Sequence, residues 1–258
     1  MSILETVTFS GITVVAATRD RLLQYISAYA CSNLRFSPLT ISPITALDIF
    51  TCLLSKKKRE FHRQVTLHFC ASWYLAYIIR YVSRVETVLI QPSGLFFDIL
   101  LIMHNNKMKC CCIGGTEKSH RNFSTCIDRT IPGNRITSFV KTAVADSRPA
   151  DVLLLVKKSN PDLIFFDNEL LLKKYYLDVL SAENRACCIG YFGKDEMAVF
   201  AQYGRKSVSR PRKPCIEPFL FAVLNPVYFF VSPLYFVFLI LIVVLKKRHK
   251  ILISKRSV

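Results

Sequence analysis

The feature that most constrains this chain is a run of 27 residues, from Phe219 to Leu245, without a charged side chain. Basic residues and one histidine, Lys246 to Lys250, follow it directly. A helix rises about 1.5 Å per residue and the hydrocarbon core of a bilayer is roughly 30 Å thick, so about twenty apolar residues can cross it. The run therefore predicts a membrane-associated helical tail rather than the alternative, a buried core helix.

Two prolines leave the geometry of this tail open. Pro226 and Pro233 each remove a backbone donor and bend a helix, which allows either a bent single span or a hairpin that lies in one leaflet. Basic residues precede the run within 205–213 and follow it within 246–256. Because basic residues prefer the cytoplasmic side, both flanks favour the same side, and this favours the hairpin.

The rest of the chain is long enough for one domain with its own hydrophobic core. A stretch of glycine, prolines and five cations, Gly204 to Pro214, is typical of a linker. We therefore expect an α/β domain over residues 1–204, a basic linker over 205–218 and a membrane segment with a basic end over 219–258. The tail places the protein at the cytoplasmic face of a membrane, anchored by residues 219–245.

The formal net charge is +17 and the isoelectric point is about 9.6, which indicates an anionic partner. Phospholipid head groups, a diphosphate ligand and nucleic acid all fit this charge. The basic residues cluster at Lys56 to Arg63 and around the apolar run, and no nucleic-acid-binding motif accompanies them. We therefore expect membrane lipids as partners and no nucleic acid.

The ten cysteines do not form a metal-binding pattern. Six lie in or beside apolar, strand-like runs and are interpreted as small core residues: Cys70, Cys110, Cys111, Cys112, Cys187 and Cys188. No Cys-x-x-Cys pair occurs, so no metal is predicted. The first residues lack the pattern of a secretory signal, and we expect the body to stay in a reducing cytosol.

Apolar runs of strand length alternate with stretches of helical period along the first 190 residues. The predicted strands are Ile12–Ala17, Gln64–Phe69, Thr87–Ile90, Lys109–Ile113, Arg135–Phe139, Asp162–Phe166 and Arg185–Ile189. The predicted helices are Ile44–Leu54, Ala71–Val82, Leu95–Asn105, Glu117–Ile127, Ala150–Lys158 and Glu169–Leu180. This alternation predicts a Rossmann-like α/β fold with a mostly parallel sheet and helices on both faces. Ligands of such sheets bind beyond the carboxyl ends of the strands.

Three places at predicted strand ends could carry chemistry. Gly114, Gly115 and Thr116 follow a strand and open a helix, where backbone N–H groups can hold a phosphate, although a tight turn alone also explains them. Ser93 lies in a similar turn, between Pro92 and Gly94. His68 ends another predicted strand, as a hydrogen-bonded structural residue or as a base.

The order of these pieces resembles the WecG/TagA/CpsF family of bacterial glycosyltransferases, which transfer N-acetylmannosamine or its uronic acid. The resemblance covers roughly Pro43 to Phe230. The family has a strand ending in Thr-x-Asn, matched here by Val65-Thr66-Leu67-His68, and then a strand with an Asp-Gly turn, matched by Val88 to Gly94. It next has a strand ending in Gly-Gly, matched by Cys111 to Gly115, and a Pro-Asp-Leu strand, matched by Asn160 to Phe166. Last comes a Glu followed nine residues later by Pro, matched by Glu217 and Pro226.

The resemblance implies a membrane-associated glycosyltransferase that moves an N-acetylhexosamine-type sugar from a UDP-sugar to a polyprenyl-diphosphate-linked acceptor, without a cofactor. The product would enter cell-surface polysaccharide synthesis. The UDP diphosphate would lie over Gly114, Gly115 and Thr116, and His68 would be the general base. The sugar pocket would be lined by Thr66, Ser93 and Gly94, and Arg210 and Arg212 would hold the lipid diphosphate.

The chain departs from the family where catalysis depends on it. The family's catalytic acidic residue falls at Ser93, and a serine hydroxyl cannot take a proton unaided. In another alignment Gly94 matches a later family glycine that precedes a helix, and the catalytic turn is deleted. The alternative hypothesis is therefore a catalytically inactive descendant that acts as a membrane-anchored binding or assembly protein.

Overall fold

A computed structural model describes residues 3–31, 38–133, 136–142, 145, 149–167, 188–191 and 252–257 of the chain. These residues form an α/β fold with a mostly parallel sheet and helices on both of its faces, as the alternating pattern predicted. The predicted helix over 169–180 lies outside the described residues, as do the basic linker and the apolar run.

The described strands form one sheet in the order β6-β5-β7-β8-β3-β4-β2-β1-β9. The strands are β1 (Ile3–Phe9), β2 (Ile12–Val15), β3 (Leu39–Ile44), β4 (Leu67–Cys70), β5 (Cys110–Ile113), β6 (Ile136–Val140), β7 (Leu163–Phe166), β8 (Cys188–Tyr191) and β9 (Leu252–Ser257). The strands from β6 to β2 run parallel, whereas β1 is antiparallel to β2 and to β9. Strands such as β5 and β7 are buried at every position, because helices cover both faces.

The described helices are α1 (Arg19–Cys31), α2 (Ala46–Leu54), α3 (Lys56–Gln64), α4 (Trp73–Ser83), α5 (Pro92–Asn105), α6 (Glu117–Thr130) and α7 (Pro149–Ser159). Residues of α1, α5 and α6 pack on one face of the sheet, here called the first face. Residues of α2 and α4 pack on the second face near β2, and α7 packs there near β5.

Residues at the N-terminus of two predicted helices explain where these helices begin. Thr45 accepts from the backbone N–H of Asp48, and the Asp48 carboxylate accepts from the N–H of Thr45, so α2 begins at Ala46. Pro92 occupies the first turn of α5, where a missing N–H removes no helical hydrogen bond. Further along α5, Phe96 stacks on Phe165 of β7, with 4.1 Å between the ring centroids.

One predicted strand is wrong, and several elements were not predicted. Residues 87–90 are a connection between α4 and α5 without regular secondary structure, and the Ile90 N–H donates a hydrogen bond to the Cys70 carbonyl. The unpredicted elements are β1, β3, β9, α1 and α3. In α3 the sequence KKKREFHRQ carries too few apolar residues to mark a buried helix face.

Two findings concern the predicted membrane tail. None of the helices within the described ranges is long and apolar enough to cross a membrane. Residues 252–257, predicted to be part of the membrane segment with its basic end, instead form β9 and pair with β1 at one edge of the sheet.

Candidate functional site

The candidate site lies at the carboxyl ends of the adjacent strands β5 and β6. The helix after β5, α6, packs on the first face, whereas α7, which follows β6, packs on the second. Ligands of α/β sheets bind beyond the carboxyl ends of the strands, so the loops that follow β5 and β6 form an edge where a ligand is expected.

A Gly-Gly turn follows β5 at this edge of the sheet. The backbone φ angles are 124° at Gly114 and 74° at Gly115, a region that L side chains rarely adopt. The Gly114 N–H donates to the Val140 carbonyl at 2.8 Å, and the Thr142 N–H donates to the Gly115 carbonyl at 3.0 Å. The turn is therefore tied to the end of β6 on both sides.

The turn leads into the N-terminus of α6. Thr116 caps the helix: its Oγ1 accepts from the Ser119 N–H at 3.2 Å, and the Thr116 N–H donates to the Ser119 Oγ at 2.7 Å. The N–H groups of Glu117 and Lys118, in the first helical turn, have no acceptor within the helix. Such groups, together with the helix dipole, favour an anion at this position.

A cation from β6 reaches the same place. Lys141 follows the last residue of β6, and its Nζ donates to Glu117 Oε2 at 2.8 Å, while Arg121 Nη2 donates to Glu117 Oε1 at 2.9 Å. The hydrogen bond from Lys141 and that from Arg121 lower the pKa of the exposed Glu117 carboxyl. Lys141, Arg121 and Glu117 together carry one net positive charge, which favours an anionic ligand.

His120, a buried residue of α6, forms a hydrogen bond to the backbone of the turn. Its Nε2 lies 2.5 Å from the Gly114 carbonyl oxygen. A carbonyl only accepts, so this nitrogen carries the proton. The ring also lies against Phe139, with 5.0 Å between centroids, and burial lowers the pKa of His120. The imidazole is therefore neutral at neutral pH and acts as a support for the backbone of the turn.

A groove of about 220 Å³ adjoins Lys141 between β6 and α7. It is lined by Phe139, Val140, Lys141, Asp151, Val152 and Leu155. Pockets for drug-sized ligands occupy about 300–1,000 Å³, so this groove has room for one ring of a larger ligand.

Asp167 brings a carboxylate to the same edge of the sheet. It follows β7, whose Phe166 is the register partner of Ile113, and its N–H donates to the Ile113 carbonyl at 2.9 Å. The residue is only 4% exposed. The register therefore places this buried carboxylate beside Gly114.

His68 lies elsewhere, inside the sheet rather than at a strand end. It is the second residue of β4, with Ser42 and Val14 as its register partners on the two neighbouring strands, and it is fully buried. Burial and the neighbouring His62 lower the pKa of His68 to about 3. Four strand spacings of about 4.8 Å separate β4 from β5, so His68 and Gly114 do not converge.

The predicted sugar-pocket residues are also dispersed. Thr66 precedes β4 at the amino edge of the sheet, where its Oγ1 lies 2.9 Å from Thr40 Oγ1. Ser93 is the second residue of α5, and Gly94 follows it, its carbonyl accepting from Arg19 Nη2 at 3.1 Å. Arg210 and Arg212 lie outside the described residues.

Within the described ranges, no three His, Cys, Asp or Glu side chains are grouped so that they could hold a metal ion. Cys110 and Cys112 share the first face of β5, with 4.0 Å between their sulfur atoms. Burial raises the pKa of Cys111, which points to the second face, to about 12. These thiols are small core residues in the part of the chain described, as the apolar context predicted.

No family model matches this chain, and no curated protein matches it at a significant level.

Of the predicted site residues, the structure therefore brings together Gly114, Gly115 and Thr116. Sequence reasoning missed Lys141, His120 and Asp167. Asp167 directly follows one predicted strand and Lys141 lies two residues beyond another, which was an available signal, because such positions meet at the carboxyl edge of a parallel sheet. Nothing in the sequence near His120 pointed to its contact with Gly114.

Proposed function

We propose that this protein binds the diphosphate of a UDP-sugar at the carboxyl ends of β5 and β6, as a membrane-associated glycosyltransferase. The observation that carries the proposal is the Gly114-Gly115 turn, which opens onto the N-terminus of α6 beside Lys141. Glycine at both positions lets a diphosphate approach the backbone closely, and the helix N-terminus and the lysine supply donors and positive charge.

The groove beside Lys141 supports a ligand larger than a phosphate. It begins at the same lysine and runs between β6 and α7. A diphosphate over the turn would leave one ring of a UDP-sugar, either the donor sugar or the ribose, within reach of this groove. The acceptor would be a polyprenyl-diphosphate-linked glycan, brought to the site by the apolar tail at the cytoplasmic face.

Transfer needs a base for the acceptor hydroxyl, and the position of His68 argues against that residue. Its imidazole is fully buried, with hydrogen bonds at both nitrogens and a pKa of about 3. Asp167 is also buried, but it is the better candidate because it follows the last residue of β7, at the carboxyl edge of the sheet where the ligand would bind.

A second candidate function shares the same binding step. If no group at the carboxyl ends of β5 and β6 takes the proton of the acceptor hydroxyl, the protein binds the nucleotide sugar without transferring it. It then acts as a membrane-anchored binding or assembly protein. The burial of His68 and the helical position of Ser93 favour this reading.

Calorimetric titration of the detergent-solubilised full chain with UDP-N-acetylglucosamine and with UDP tests the shared binding step. Lys141→Met should weaken binding of both ligands about tenfold, because it removes a charge-assisted hydrogen bond to phosphate. Lys56→Met is the matched control, since Lys56 is an exposed lysine on α3 and pairs with Glu60. Absence of binding by the unmodified chain would overturn both functions.

A transfer assay then separates the two functions. The unmodified chain is incubated with UDP-N-acetylhexosamines and a polyprenyl-diphosphate-linked N-acetylglucosamine, and lipid-linked disaccharide is measured by mass spectrometry. Product formation establishes the transferase and eliminates the inactive descendant. Binding without product establishes the binding protein.

A further inference from the structure

We infer that the outer side of α2 and α4 is a surface on which the α/β domain itself docks onto an anionic lipid membrane. This inference goes beyond the proposed function, because it concerns neither the ligand site at β5 and β6 nor the apolar run. The surface, here called the α2–α4 surface, is defined by its exposed apolar side chains: Leu47, Leu54, Tyr74, Tyr77 and Tyr81.

The two helices of this surface lie side by side. They follow β3 and β4, which are neighbouring parallel strands, and their inner residues Ile49 and Ile79 belong to one buried cluster on the second face. At the start of α2 the Ala46 N–H donates to Oγ of Ser72, the N-cap residue of α4, at 3.2 Å. Both helices therefore begin at the carboxyl edge of the sheet and run in the same direction, so their outer sides form one surface.

The spacing of the apolar side chains places them on the outer side of each helix. Tyr77 and Tyr81 lie three and seven residues after Tyr74, and Leu54 lies seven residues after Leu47, which are spacings that share one helix face. The exposed fractions are 74% for Leu54, 69% for Tyr77 and 75% for Tyr81. Large apolar side chains therefore project into solvent along both helices.

Helix α6 on the first face shows the contrast. Its exposed residues are all polar or charged, and they include the carboxylates of Glu117 and Asp128. α4 contains no acidic residue, and Asp48 of α2 is bonded to Thr45 in the helix cap. A concentration of exposed apolar side chains on one side of a domain marks an interaction surface.

Cations gather at one end of the α2–α4 surface. The C-terminal ends of both helices lie toward the amino edge of the sheet, and the cations at these ends are all exposed: Lys56, Lys57, Lys58, Arg80 and Arg84. Glu60, which lies 3.8 Å from Lys56, and Glu86 offset only part of this charge. The surface is therefore apolar with a positively charged end, which complements a membrane that carries anionic head groups.

The chemistry of these side chains favours lipid over a second copy of the chain. A tyrosine ring enters the acyl boundary while its hydroxyl stays among the head groups, and lysine and arginine reach the phosphates with their long stems. Exposed leucines, tyrosines and cations together are typical of helices that lie in the plane of a membrane surface. A second copy would instead bring like charges together.

The first test uses the full chain reconstituted into vesicles of phosphatidylcholine, brominated on its acyl chains, with phosphatidylglycerol. The chain has one tryptophan, so the double variant Tyr77→Trp, Trp73→Phe carries a single probe on the α2–α4 surface. Its emission should be quenched relative to vesicles without bromine. The matched control is Leu101→Trp, Trp73→Phe, at a residue of α5 that is 38% exposed on the first face, and its emission should not change.

Tyr81→Trp, in the same Trp73→Phe background, supplies a second probe on this surface if the first variant does not fold. Equal emission of the surface probe with and without bromine, in protein that sediments with the vesicles, would overturn the inference. An acidic protein would then be the better partner for the α2–α4 surface.

The second test removes charge in the Tyr77→Trp, Trp73→Phe background. Lys57→Gln with Lys58→Gln should lower the ratio of quenched to unquenched molecules about 20-fold, because each cation near an anionic surface contributes roughly fivefold. Arg21→Gln with Lys118→Gln removes the same charge from α1 and α6 on the first face, beyond the Debye length of about 10 Å at 0.1 M salt, and should leave the ratio unchanged.

Equal losses in the two charge variants would show that net charge, and not this surface, attracts the lipid, and would contradict the inference. UDP titration in detergent involves no vesicle and none of these residues. Its failure would therefore affect only the proposed function, and unquenched emission would leave the UDP site untouched.

Discussion

His62 Nδ1 of α3 lies 3.0 Å from His68 Nε2 of β4, in the interior of the protein. His68 Nδ1 lies 3.0 Å from the Thr13 carbonyl of β2, which only accepts, so Nδ1 of His68 carries the proton. Its Nε2 then accepts from Nδ1 of His62. The two histidines thus connect a basic surface helix to two strands of the sheet.

This pair predicts a loss of stability in acid. The pKa of His68 is about 3 in the folded protein and ordinarily 6.5, so below pH 6.5 the unfolded chain binds a proton that the folded chain does not. The stability from neutral His68 is complete above pH 6.5 and is lost progressively down to pH 3. Between pH 7 and pH 5 the free energy of unfolding should fall by about 2 kcal/mol.

Urea unfolding at the two pH values measures this fall. His68→Gln keeps a side chain with a donor and an acceptor but does not titrate, so the variant should show about 2 kcal/mol less pH dependence than the unmodified protein. Parallel pH dependences for the two proteins would show that His68 is not the group responsible.

Gly115→Ala should impair the turn and the ligand site together. Alanine at a φ of 74° costs about 1–2 kcal/mol, and its methyl group would stand where the diphosphate is proposed to lie. Gly133→Ala is the matched control, because Gly133 has a φ of 73° with open space around it. Both variants should lose similar stability in urea, and only Gly115→Ala should weaken UDP binding. Equal UDP affinities would place the ligand elsewhere.

Asp167→Asn tests the base for transfer. The amide keeps the size of the carboxylate but cannot accept the proton, so turnover should fall by about 10² or more while UDP affinity stays unchanged. Asp128→Asn, at an exposed aspartate in the last turns of α6, should leave both unchanged. The measurement is the lipid-linked transfer assay, and undiminished turnover in Asp167→Asn would remove this residue from the mechanism.

Phe96→Ala should destabilise the domain more than any surface change. The ring stacks on Phe165 and lies 5.9 Å from Phe123, joining α5, β7 and α6 on the first face. Removing a fully buried phenylalanine costs about 3–5 kcal/mol. Tyr77→Ala, at a side chain that is 69% exposed, should change the free energy of unfolding by less than about 0.5 kcal/mol. A loss below 1 kcal/mol for Phe96→Ala, measured in urea, would contradict this packing.

The parts of the fold that were predictable have strong local patterns. The all-apolar stretches around Cys112 and Phe165 predict buried parallel strands, because a strand whose two faces are both covered is apolar at every position. The stretch at 87–90 has a similar composition but lies outside the ladder, since composition reports burial and not pairing. The sequence pattern predicted that His68 ends a strand. The strand continues through Cys70, and only its register with β3 shows that His68 lies inside the sheet.

The sequence by itself determined the α/β class, the Gly114-Gly115 turn at a strand end and the apolar run from Phe219 to Leu245, because each depends on residues that are neighbours in the chain. Only the tertiary structure decided that Lys141 and Asp167 meet this turn, that His68 is enclosed by α3 and the sheet, and that β9 returns to β1. These are contacts between residues far apart in sequence, and they are fixed by the order and register of the strands, which no local pattern encodes.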